Sequence, residues 1–138
     1  MHRIGQTLGG KFTLNELIGR SELGTVYKAR TGSGTNVAVK VLHSDLETSV
    51  ARALLGNAKT ISQLRNQRIA RILGAKYSRT ADTFIVTEWL EGINLAEMVS
   101  NSGGLSPMRC ANLMIQMRFT RGGNAHINQK SGRIAHDR

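Results

Sequence analysis

The chain is poor in several residue types, and each shortage narrows what it can be. Its 138 residues contain one cysteine, Cys110, so no internal disulfide can form. That fits a reducing compartment and argues against a bridged, secreted scaffold. Aromatic residues make up 4% of the chain, which leaves little for single-stranded bases to stack on. No apolar run is long enough to span a bilayer. The opening stretch, MHRIGQTLGG, lacks the apolar centre of a signal peptide. A cytoplasmic protein with no transmembrane segment is the expectation. Acidic residues are also scarce: 9 Asp and Glu face 19 Lys and Arg, a net charge of +10. Such a field draws anionic partners. The basic residues are scattered, however, and the densest group is Arg65, Arg68 and Arg71 in RNQRIAR. We read them as a solvated surface, with no strong nucleic-acid signal and an acidic protein partner left open.

What is present suits one domain with a core of its own. Apolar residues alternate imperfectly from Phe12 to Arg20, and a second strand is expected from Thr25 to Arg30. TGSGTN, with Gly32 and Gly34, reads as a turn. NVAVKVL is β-branched and mostly apolar, as a central buried strand is. From Ser44 the texture changes. Val50, Leu54, Ile61 and Leu64 lay one stripe along a helix, and Asn57 falls on that stripe, so its side chain is expected to face inward. Two further strands are expected around Ile72–Ser78 and Thr83–Trp89, then a short helix in NLAEMV with a glycine stop. LSPMRCANLMIQM opens another helix, with Ser106 as N-cap, Pro107 in the first turn and apolar positions at Met108, Ala111, Met114 and Ile115. After Met117 the period dissolves into a basic stretch.

The chemistry-bearing stretch is LIGRSELGTVYKA, where Gly19 and Gly24 bracket four residues, followed by Val37-Ala38-Val39-Lys40. A glycine hairpin lets backbone N–H groups approach phosphate with no Cβ in the way. A lysine inside an apolar strand is costly to bury without a counter-charge. Taken alone, Ile18, Val26 and Ala38 also fit plain sheet core, and Lys40 also fits a solvated edge.

The order of glycine pair, lysine strand and FIVTEWLEG, at fitting distances, resembles the N-terminal lobe of protein kinases, the bacterial serine/threonine type above all. The likeness runs from about Phe12 to Met117. It implies an α+β fold: a five-stranded antiparallel sheet with one helix, then the first helices of the C-lobe. The expected division is an N-terminal extension (1–11), the kinase-like N-lobe and hinge (12–92), the start of a helical C-lobe (93–117) and an irregular basic tail (118–138). By the same resemblance the ligand is ATP, with magnesium if bound. Gly19, Ser21 and Gly24 would lie over the phosphates and Ile18, Val26 and Ala38 against the adenine. Lys40 would sit on the α and β phosphates, Thr87 at the back of the pocket, and Glu88 and Leu90 on the adenine edge through their backbones.

Three departures bear on activity. Ser21 replaces the family's second glycine, and its Cβ narrows the approach. Asn57 stands where the resemblance implies the glutamate that pairs with the lysine, and it carries no charge. Neither H-R-D-x-x-x-x-N nor D-F-G occurs, so no catalytic or metal residue is assigned. His136-Asp137-Arg138 is out of order and is read as coincidence. The expectation is an ATP-binding lobe, inactive alone and truncated before the catalytic loop. Two alternatives stay open: a pseudokinase-like module that docks on an intact kinase, and a basic nucleic-acid-binding domain.

Overall fold

Alternation of β-branched residues with polar ones, broken by glycine turns, produces a sheet in the first half of the chain. The computed structural model describes residues 3–118. The strands are β1 (Thr7–Leu8), β2 (Phe12–Ser21), β3 (Gly24–Thr31), β4 (Asn36–Leu42), β5 (Ile72–Lys76) and β6 (Phe84–Glu88). They form one antiparallel sheet in the order β1-β2-β3-β4-β6-β5. The helices are α1 (Thr48–Ser62), α2 (Leu95–Ser102) and α3 (Pro107–Arg118). All five expected strands are present. The sixth, β1, falls within residues expected to be an extension, and it pairs with β2 through Thr7–Thr13 and Leu8–Phe12. A two-residue strand is too short to show a period, which is why alternation does not reveal it.

The chain divides into two compact units. One takes in the chain up to Leu64 together with Arg71–Trp89; the other holds Arg65–Ala70 and the chain from Leu90 onward. The expected tail, His136-Asp137-Arg138 included, lies outside the described residues apart from Arg118 at the end of α3.

Within the first unit one sheet face makes the core. Leu14, Tyr27, Ala29, Val37, Val39, Val41, Phe84 and Val86 are buried there with Leu8. Phe12 on β2 meets Phe84 on β6 edge-on, with ring centroids 6.1 Å apart. Those strands are not neighbours in the sheet, so it must curl for the rings to touch. Curling lets a single layer enclose its own apolar face, roughly 25 cal/mol for each Å² of apolar surface covered.

Helix α1 corrects the expected stripe. It packs on β5 and buries Ala51 and Ala58, while Asn57 is exposed rather than inward. Val50, Leu54 and Ile61 are only half-buried, and Leu64 is exposed. The two buried residues of α1 are alanines, whose small side chains suit close packing of a helix.

In the second unit α2 begins with a capping box. The Asn94 side chain accepts from the Glu97 N–H at 2.8 Å, and the Glu97 carboxylate accepts from the Asn94 N–H at 3.0 Å. It ends on Gly103 at φ 67°, a left-handed cap. Before α3 the Ser106 hydroxyl accepts from the Arg109 N–H at 3.4 Å, in the expected capping place. Met98 and Leu113 are buried, whereas Val99, Met108, Met114 and Ile115 are exposed. Among the described residues no helix is long and apolar enough to cross a membrane.

Candidate functional site

Side chains alternate across a strand, and residues directly opposite in an antiparallel pair share a face. Val26 pairs with Lys40 and Lys40 with Ile85; Lys28 pairs with Ala38 and Ala38 with Thr87. Val26, Ala38, Lys40 and Thr87 therefore stand together on one face, the one opposite the core. All four are half-buried, unlike the closed core behind them. Gly19 pairs with Val26 and so borders the same face. Ile18 is the extra residue of a bulge between Leu17 and Gly19, and it is half-buried. Leu90 belongs to the second unit.

Lys40 is a cation of this face. Its ammonium has no ion pair or hydrogen bond among the described residues, and burial pushes it below the ordinary lysine range. Asn57 makes no hydrogen bond to it. Half-covered, and with no carboxylate against it among the described residues, this cation can attract an anion.

The two glycines differ in kind. Gly24 is buried, and a Cβ there would collide with the Val41 carbonyl oxygen, so its glycine is required by the close approach of β3 and β4. Gly19 has a negative φ, and a Cβ there would meet nothing within 4 Å. The protein's own packing does not need glycine at Gly19; what its absent side chain leaves is open space beside Val26. Between them the Ser21 hydroxyl donates to the Gly24 carbonyl at 3.1 Å, closing the turn upon itself. His43 holds that turn from β4's end. Its N–H donates to Leu23 O at 3.2 Å, and its Nε2 donates to Ser21 O at 3.0 Å.

At the far end of β6 the Glu88 carboxylate accepts from the Arg71 N–H at 2.8 Å and lies 3.7 Å from the Arg71 guanidinium. The Glu88 N–H donates to Arg71 O at 2.9 Å. Sequence reasoning passed over Ile85, opposite Lys40, and Lys28 on this face. Lys28, opposite Ala38, places its ammonium 4.5 Å from the ring centre of Trp89. The period of two from Val26 was the signal that would have found it.

No cluster of three or more His, Cys, Asp or Glu occurs among the described residues.

A family model described as protein tyrosine and serine/threonine kinase matches residues 12–131. A probable serine/threonine-protein kinase of Dictyostelium discoideum is 31% identical over 110 residues, covering 78% of this chain and 22% of the relative. The probable serine/threonine-protein kinase PknB of Bifidobacterium longum is 31% identical over 119 residues, 78% of this chain and 17% of its own length. The serine/threonine-protein kinase PrkC of Bacillus subtilis is 29% identical over 131 residues, 91% of this chain and 20% of its own length. The chain thus spans under a quarter of the length of each of these three relatives.

Proposed function

The chain belongs to the protein tyrosine and serine/threonine kinase family, and from that premise we propose that its sheet is the ATP-binding lobe of a serine/threonine protein kinase. The observation that supports this reading most is Lys40, half-buried and without a carboxylate, on one face with Val26, Ala38 and Thr87 and bordered by Gly19.

On this reading each residue has a physical task. Val26 and Ala38 supply an apolar surface for the adenine, and the small Ala38 side chain leaves room for the ring. Lys40 donates to phosphate oxygens, and their charge replaces the missing carboxylate. The open space at Gly19 admits the phosphates to backbone N–H groups. Thr87 lies between Ala38 and Ile72 in the sheet and limits depth. Ser21 is occupied with Gly24, so its hydroxyl does not serve phosphate while the turn stays closed. Magnesium would arrive on the phosphates, since no carboxylate belongs to this set. The 138 residues contain neither the H-R-D nor the D-F-G segment that phosphoryl transfer uses, so this chain by itself binds without catalysing.

Calorimetric titration with Mg-ATP tests the reading. Saturable binding is expected, and Lys40→Ala should weaken it by roughly tenfold to a hundredfold, the worth of a charge-assisted contact. Equal affinity in the parent and Lys40→Ala would sink it.

A further inference from the structure

Behind the glycine hairpin, on the face opposite Lys40, the ends of β2, β3 and β4 enclose a groove of roughly 430 Å³. Thr25, Tyr27 and Val41 line it from the sheet, and Arg20, His43 and Ser44 line it from the edges. Two polar side chains there are unusual. Tyr27 is 5% exposed and Thr25 9% exposed, yet neither hydroxyl has a hydrogen-bond partner among the described residues. No side-chain oxygen among those residues is both buried and unpartnered. Both hydroxyls therefore keep some access to solvent, and both residues line the groove. Each hydroxyl is thus an unpartnered group that an acceptor entering the groove can meet.

The charges around these hydroxyls select the acceptor. Arg3 lines the groove but is paired with Asp82, the one carboxylate there. Arg20, opposite Thr25 on β2, has no ion pair and leaves the groove with an unopposed positive charge. The His43 ring is fixed by its bond to Ser21 O, and Ser44, next in the chain, also lines the groove. Arg20 and the hydroxyl-bearing Thr25, Tyr27 and Ser44 line one concave space whose single carboxylate, Asp82, is taken up by Arg3.

We propose that this groove binds a small oxyanion of the phosphate class, with Arg20 as its charged anchor and Tyr27, Thr25 and Ser44 as further donors. The site is separate from the nucleotide face and does not depend on ATP binding. Free phosphate and the phosphate of a modified side chain share this chemistry.

The test is titration of the full chain, labelled with nitrogen-15, with inorganic phosphate and, in parallel, with phosphoserine, reading backbone amide shifts. Saturable shifts centred on Thr25, Tyr27, His43 and Ser44 are expected. Arg20→Gln should weaken them about tenfold or more, and Tyr27→Phe a few-fold. Lys40→Ala should leave them in place, which separates this site from the nucleotide face. Tighter binding of phosphoserine would assign the groove to a modified side chain, and equal binding to the free ion. Shifts that do not saturate, or that vanish in Lys40→Ala and persist in Arg20→Gln, overturn the proposal.

Discussion

Gly19 and Gly24 look alike on paper and stand in opposite circumstances once folded. Gly24 presses against the Val41 carbonyl, so Gly24→Ala is expected to cost about 1–3 kcal/mol of stability, seen as a lowered urea midpoint. Gly19→Ala should leave that midpoint unchanged while weakening Mg-ATP binding, because its Cβ enters space the protein does not use. Lys40 adds a pH dependence. Burial lowers its folded-state pKa beneath the ordinary 10.5, so in the window just below that value the unfolded chain holds more of this proton. Stability from this group therefore rises with pH through the window. Lys40→Met removes the penalty: it should be more stable than the parent at neutral pH, with the gap closing as pH approaches the ordinary lysine value. Urea melts of both proteins at the two pH values check this. Lys40 was legible because a cation inside a β-branched run is conspicuous. The place of Lys28 on the face follows from the period of two, but its contact with Trp89 does not, since Trp89 is distant in sequence and meets it only in the folded sheet.

Among the elements, α1 shows how a pattern misleads. Apolarity ranks Leu and Ile above Ala, so the eye follows Val50, Leu54, Ile61 and Leu64. Yet Ala51 and Ala58 are the buried residues of the helix. Asn57→Ala should accordingly change stability by less than about 0.5 kcal/mol, whereas Ala58→Arg should destabilise markedly, both read by denaturant melts. The strands were legible because their alternation is long. β1 was not, since two residues carry no alternation, and its place is fixed by tertiary contact. Leu8, 4% exposed in the curled sheet, shows what that strand contributes. Leu8→Ala is expected to cost roughly 2–5 kcal/mol.

For the molecule as a whole, the excess of positive charge acts at a distance. A net charge of +10 should strengthen encounter with a polyphosphate and make its affinity fall as salt rises, beyond what Lys40 contributes alone. Titrations of parent and Lys40→Ala at low and high salt measure the two parts separately. The family and the sheet were readable from short-range spacing. The groove behind the hairpin was not, because Arg20, Tyr27 and His43 converge only through strand register. Trp89 is the chain's single tryptophan, and it lies against Lys28 on the very face assigned to the nucleotide. Its emission is thus an intrinsic optical gauge: any guest that draws the ammonium off the indole should alter the quenching, with no dye or label attached.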